Sequence, residues 1–380
     1  MTSMTAAAPA SWRTVGGHRP PRTAILCIIE VMSAHANYFS PDYSTARSRF
    51  RQMVEAAGGR LDVLPLEARG PAGENLGIDI GSFGAENPRR VLLHSSGLHG
   101  VEGFAGSAIQ LQFLDSLPRA HAETAFVIVH VLNPYGMAWL RRVNENNVDL
   151  NRNCLGNDPY AGAPPVYRDL NSFLNPEGPP TNDLFALKAV CLMVRHGMPA
   201  LKQAVVGGQY EYPKGLFFGG KGLQEGLQRY ESFLAHRLAS ARQVLAIDVH
   251  TGLGKYGEDT LLVDAMQYAA LRRRFGERVA RSDPRESPAY QVTGALESMI
   301  FRVLFGAQVQ FLRQEFGTYG PIKVLQALRQ ENRAHHYDDG RSRRPAKTTL
   351  REIFCPADES WRQSVLKRGS ELLSQALAEL

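Results

Sequence analysis

The chain has 380 residues, 44% hydrophobic and 21% charged, the composition of a soluble globular protein with room for one large α/β domain or two modest ones. Its net charge of +6, from 43 basic and 37 acidic residues, is mild and scattered, and no Lys/Arg block interleaves with aromatics, so nucleic acid is not an expected partner. Cys27, Cys154, Cys191 and Cys355 form no CxxC pair, which argues against a disulfide framework and for buried free thiols in a reducing, cytoplasmic setting.

In chain order, residues 1–22 carry Arg13, Arg19 and Arg22 without an acid, are rich in Ala, Pro, Gly and Ser, and read as a flexible leader. Residues 23–380 are expected to form a single catalytic domain. The apolar stretch 24–32 is broken by Glu30 and is too short to span a bilayer, so no membrane partner is expected. Ser44 reads as the N-cap of a helix ending near Gly58-Gly59. Strands are predicted at 61–66 and 76–80. Four further apolar, β-branched runs (91–93, 125–132, 244–250 and 309–316) have the character of strands buried on both faces. Helical patterns lie between them at 104–117, 183–196, 222–240, 268–280 and 294–305, and two more follow at 321–336 and 358–380. Such alternation predicts an α/β fold with a helix-covered, largely parallel or mixed sheet. Residues 153–180 and the Gly- and aromatic-rich stretch 207–220 read as long functional loops.

Polar residues gather where the apolar strands stop. His99 and Glu102 follow the first of the four runs, Asp248 and His250 end the third, and Glu315 nearly ends the fourth. The C-termini of parallel strands share one edge, so these residues are expected to converge in one crevice. Two imidazoles and a carboxylate, His99, Glu102 and His250, suit one catalytic Zn2+ ion with an open fourth position. Glu315 is then free to act as general base. Asp149 or Asp248 could accept the second ring N–H of a ligating histidine. His94 and His130, inside strands, read as packed core residues.

A second group is Asn133-Pro134-Tyr135-Gly136, then Arg142-Val143-Asn144, then Val148-Asp149-Leu150-Asn151-Arg152-Asn153. Arginines flanked by side-chain amides suit a carboxylate, which a guanidinium grips in bidentate fashion.

HGVEG, NPYG…RVN…VDLNRN, DVH and QEF resemble the zinc carboxypeptidase superfamily, peptidase family M14. GLHGVEGFAGS, GQYEYPKGLFFGG and EFGTYGPIKVLQALRQENRAHH resemble its bacterial DUF2817 branch, over roughly residues 33–340. The resemblance implies a three-layer α/β/α carboxypeptidase-like fold with a mixed, largely parallel central sheet, one Zn2+ ion, and hydrolysis of an amide next to a carboxylate. It matches His99, Glu102 and His250 to the metal ligands and Glu315 to the catalytic glutamate. It matches Asn151 and Arg152 to the pair holding the substrate carboxylate. Arg142, with Arg141 as its neighbour, matches the arginine that polarises the scissile carbonyl. Tyr290 resembles the lid tyrosine, with Tyr319 as rival. Glu297 then falls near the specificity pocket, where an acid would favour a basic side chain; alternatively it sits in a first helical turn, favoured by the dipole. The spelling His-Gly-x-Glu also resembles the aspartoacylase and desuccinylase branch, which deacylates N-acyl amino acids. That branch usually adds a C-terminal β-rich domain, whereas residues after Ile353 here read as one helix. The expected substrate is a peptide or N-acyl amino acid with a free carboxylate.

Overall fold

Among the described residues, eight strands form one mixed sheet. The computed structural model describes residues 38–197, 207–282, 294–338 and 340–380; the predicted leader, Cys27 and Tyr290 lie outside them. The strands are β1 (Arg60–Arg69), β2 (Asn75–Gly84), β3 (Arg90–Ser96), β4 (Thr124–His130), β5 (Gln243–Tyr256), β6 (Asp259–Val263), β7 (Val279–Arg281) and β8 (Gln308–Gly317). Their order across the sheet is β1-β2-β4-β3-β5-β8-β6-β7, and the four central strands are parallel: β4 pairs with β3, β3 with β5, and β5 with β8. The antiparallel pairs, β1–β2, β2–β4 and β6–β8, lie towards the two sides.

Helices cover both faces, giving the expected α/β/α layering. One face packs against α1 (Tyr43–Ala56), α2 (Gly103–Asp115), α7 (Tyr268–Phe275) and α11 (Glu359–Ala378), in a cluster holding Phe50, Phe104, Ile247, Val249, Leu312 and Trp361. The other packs against α6 (Glu225–Arg237) and α8 (Leu296–Val303) through Val91, Leu93, Ala246, Tyr230, Met299 and Phe311. Alternate residues of β5 and β8 thus enter opposite clusters, as the two-residue strand period requires. A third cluster joins α4 (Pro165–Leu174), α9 (Pro321–Tyr337) and α10 (Arg343–Phe354) to Val101 and Phe217. The short helix α3 (Pro134–Ala138) and α5 (Phe185–His196) complete the described helices.

Several boundaries differ from the sequence reading. The cap of α1 is Asp42, whose side chain accepts from Thr45 N at 2.8 Å, and not Ser44; the extended backbone at Asp42 aims a short carboxylate at the helix's unpaired N–H groups. The helix expected at 268–280 stops at Phe275, because Gly276 takes φ +81°, and the chain continues into β7. The long loop 153–180 contains α4, and residues 343–354 form α10, so Ile353 lies inside a helix and the last helix opens at Asp358. Cys154 and Cys355 are buried, but Cys191 is exposed on α5. No helix among the described residues is long and apolar enough to cross a membrane.

Candidate metal centre

The C-terminal ends of β3, β5 and β8 bring the predicted residues together. In the parallel pairing of β5 with β8, Asp248 is the register partner of Arg313 and His250 that of Glu315. On the other side, Ser95 of β3 is the partner of Asp248. After β3 the chain turns through His99 into a single 3-10 turn, Gly100–Glu102, and then enters α2. Gly100 has φ +30°, and a Cβ there would lie 2.4 Å from the Arg141 carbonyl oxygen and from Gly136. Any side chain would therefore push the turn off its support, which explains a glycine between histidine and glutamate.

His99, Glu102 and His250 are buried, and one ligand atom from each lies within 4.8 Å of the others. The Nδ1 atoms of the two histidines stand 3.1 Å apart. Glu102 Oε1 lies 3.1 Å from His99 Nδ1, and Glu102 Oε2 lies 3.5 Å from His250 Nδ1. Both rings turn their other nitrogen to a carboxylate: His250 Nε2 to Asp248 Oδ2 at 2.6 Å, and His99 Nε2 to Asp149 Oδ1 at 3.1 Å. A ring that donates Nε2–H presents a lone pair at Nδ1. Two such lone pairs and a carboxylate facing one point fit a single cation, and the donor set is one that zinc takes. Both aspartates that the sequence offered as alternatives occupy this supporting position.

The same groups set one another's charge. Burial raises the Glu102 carboxyl, but His99, His250 and Arg142 together hold it below its usual range. Burial likewise opposes the charge on Asp149, yet Arg152, Arg142 and His99 keep it well below the carboxylate range. His250 is pushed the other way: burial lowers it, but Asp248 and Glu102 carry it up to about 10. Glu315 accepts from Leu253 N at 3.1 Å. Burial and the neighbouring Glu102 charge push its carboxyl up to about 7 against the pull of His250 and Arg313.

The two adjacent arginines separate cleanly. Arg142 faces the cluster, with Nη1 donating to Glu102 Oε1 at 2.7 Å and Nη2 lying 2.8 Å from His99 Nε2 and 3.2 Å from Asp149 Oδ2. Arg141 points away, fully buried, and donates to Glu331 at 2.8 Å and Asn147 at 3.0 Å, while its carbonyl accepts from Val101 N at 2.9 Å. Asn151 and Arg152 lie in the 3-10 turn Leu150–Arg152, which Asp149 caps by accepting from Asn151 N at 3.0 Å. Arg152 donates to the Asn151 carbonyl at 2.9 Å, and Asn151 Oδ1 accepts from Leu296 N at 3.1 Å, tying this turn to the start of α8.

The remaining predicted residues behave differently. Glu297 sits in the first turn of α8 and its Oε2 accepts from Arg313 at 2.6 Å, so its charge is compensated. The Tyr319 hydroxyl donates to Glu352 at 2.9 Å. His94 and His130 are buried, as expected for core residues. Sequence reasoning missed four contributors. Ser95 donates to Asp248 at 2.7 Å, Thr251 N donates to Glu102 Oε2 at 3.1 Å, Arg313 meets Glu297, and the Phe217 ring underlies both Arg142 and Arg152 at 5.8 and 5.9 Å. Only Phe217 carried a signal, since it lies in the aromatic loop 207–220.

No curated protein sequence matches the chain. Among solved structures, carboxypeptidase A from Helicoverpa armigera aligns at 12% identity and a TM-score of 0.44, covering 89% of this chain and 82% of that one. A protein assigned to the metallopeptidases from Shewanella amazonensis SB2B aligns at 15% identity and a TM-score of 0.40, covering 83% and 94%. One assigned to the succinylglutamate desuccinylase/aspartoacylase group from Shewanella frigidimarina aligns at 15% identity and a TM-score of 0.34, covering 73% and 71%. The family described as "Protein of unknown function (DUF2817)" matches residues 39–368, nearly the whole chain, and the protein belongs to that family.

Proposed function

We propose that this protein is a zinc-dependent hydrolase that cleaves a peptide or other amide bond next to a free carboxylate, in the manner of a carboxypeptidase, with residues 23–380 acting as one catalytic domain. The observation that carries the reading is the convergence of His99 Nδ1, His250 Nδ1 and Glu102, each ring backed by a carboxylate, beside the register partner Glu315.

His99, Glu102 and His250 would hold the ion. Zinc bound there supplies a Lewis acid and brings the pKa of a water down toward about 7. Glu315, buried at the end of β8 as the register partner of His250, takes a proton from the attacking water and returns it to the leaving amine. Arg142 donates to the scissile carbonyl oxygen as negative charge builds there. Asn151 and Arg152 grip the terminal carboxylate, with the Phe217 ring supporting the guanidinium of Arg152. Asp149 and Asp248 hold the two imidazoles in one tautomer. Deacylation of an N-acyl amino acid requires the same groups, because that substrate also sets an amide beside a carboxylate.

Metal analysis combined with Glu315→Gln tests the reading. We expect one zinc per chain in both proteins and retained substrate binding in the variant, with hydrolysis lowered by roughly 10²–10⁴-fold. Hydrolysis unchanged by the substitution, or a purified chain that takes up no zinc, would overturn it.

A further inference from the structure

A cleft of about 470 Å³ opens between α1 and the β1–β2 hairpin, within the size range of small-molecule sites. Arg47 and Arg51 line it from α1 and Arg69 from β1, while Val63, Pro65 and Leu66 supply an apolar wall. β1 and β2 form one edge of the sheet and bring no residue to the metal centre, so the proposed reaction leaves this cleft unused.

The pairing of the hairpin draws the guanidinia together. Arg47 Nη1 donates to the Asn75 carbonyl at 2.6 Å, and Asn75 is the register partner of Arg69. Arg51 lies one helical turn on from Arg47, on the same side of α1. Asp79 is fully buried and is the carboxylate set against them. Arg47 holds it through Nε at 2.9 Å and Nη2 at 3.1 Å, and Arg51 through Nε at 2.6 Å and Nη2 at 2.9 Å. Asp79 stands behind these guanidinia, and no residue lining the cleft is acidic. Among the described residues the Arg69 side chain has no hydrogen bond or ion pair, and Arg51 Nη1 has no acceptor. Three positive charges against one negative leave two uncompensated. The apolar wall is bare as well, with Val63 41% exposed on β1. Guanidinia beside an uncovered apolar wall suit an anion that carries an apolar group. A phosphate monoester brings a charge of about −1.5 to −2 near neutral pH and oxygens that match the guanidinium fork.

We propose that this cleft binds a phosphate monoester with an apolar substituent, its phosphate held by Arg51 and Arg69 and its apolar group laid on Val63 and Pro65. Calorimetry on the full chain with phenyl phosphate tests it. Phenyl phosphate should bind at least about tenfold tighter than inorganic phosphate, which lacks the ring, and than benzoate, which carries a single charge. Arg69→Glu should weaken phenyl phosphate by about tenfold or more, and Val63→Glu, which puts a negative charge on the apolar wall, should do the same. The Arg69 and Val63 side chains are exposed, so both variants should melt with the parent. Arg152→Ala changes the carboxylate grip proposed at the metal centre and should leave phenyl phosphate binding intact. No binding of phenyl phosphate, equal binding of benzoate or inorganic phosphate, unchanged affinity in folded Arg69→Glu and Val63→Glu, or loss of binding in Arg152→Ala would overturn the assignment. The hydrolase reading stands or falls separately, on zinc content and on the Glu315→Gln variant.

Discussion

His99 and His250 present their Nδ1 atoms to each other at 3.1 Å across the crevice, and Asp149 and Asp248 stand behind them on the opposite ring nitrogens. The arrangement is closely two-sided: each imidazole is pinned between a shared focus and its own carboxylate. Three chain segments far apart in sequence supply it, so the focus forms only once the sheet and the turn over it have formed.

The supporting aspartates should tune metal affinity without being ligands. We predict that Asp248→Asn or Asp149→Asn lowers zinc affinity by about 10–100-fold. Competition with a chromogenic chelator measures this directly. The asparagine is near-isosteric, so the fold should persist; unchanged zinc affinity would remove these residues from the centre.

Arg141 and Arg142 should fail in different ways. Arg142 reaches the cluster, and Arg142→Ala is expected to lower turnover by about 10²–10³-fold. Arg141 is fully buried on Glu331, so Arg141→Ala, or Glu331→Ala, removes one partner of a buried pair and should cost about 3–5 kcal/mol of stability. Thermal melts and kinetics on the same preparations separate the two. Equal behaviour of the two arginine variants would contradict the geometry.

Gly100→Ala should damage the metal turn from beneath. The new methyl meets the backbone of Gly136 and Arg141 at 2.4 Å, atoms that cannot rotate aside. We expect a loss of about 2 kcal/mol or more and a sharp drop in bound zinc. Full zinc occupancy at native affinity would show that the turn can move.

Asp79 gives a pH prediction away from the centre. It is fully buried on β2, and Arg47 and Arg51 of α1 each clasp it, through Nε at 2.9 and 2.6 Å. Burial alone would raise its carboxyl, but the two guanidinia hold it below the usual range. A depressed carboxyl stabilises the fold above its unfolded pKa of about 3.9, and that contribution drains away as pH falls through the lower folded value. Asp79→Asn should therefore cost about 3 kcal/mol at neutral pH and flatten the acid side of the stability profile. A variant with the parent's acid dependence would show that another carboxylate governs it.

The parts legible in the sequence were those in which burial and polarity conflict. Asp248, His250 and Glu315 stand at the ends of apolar runs, and such residues need partners, so pattern alone placed them on one edge. His99 and Glu102 became informative through the βα turn that carries them. The short strands β6 and β7 were hidden because three to five residues give too little periodicity, and β7 was absorbed into the tail of a helical pattern. In α4, Pro164-Pro165 and the surrounding Asn and Asp residues read as loop, although proline is at home in a helix's first turn. For α10 the visible signal was only Leu350, Ile353 and Phe354 in a basic stretch. Arg313 was invisible because its identity matters only through its cross-helix partner Glu297, a long-range pairing that no local pattern encodes.

One aromatic ring fixes the spacing of two guanidinia. Phe217 underlies Arg142 and Arg152 together, at 5.8 and 5.9 Å. In the proposed reaction one guanidinium meets the bond to be cut and the other meets the end of the substrate. A shared base beneath both keeps those two points from drifting apart. In that reaction the ring would act as a ruler between the cut and the terminus. Replacing its rigid plane with a flexible side chain should blur where the substrate is cut before it weakens how tightly the substrate is held.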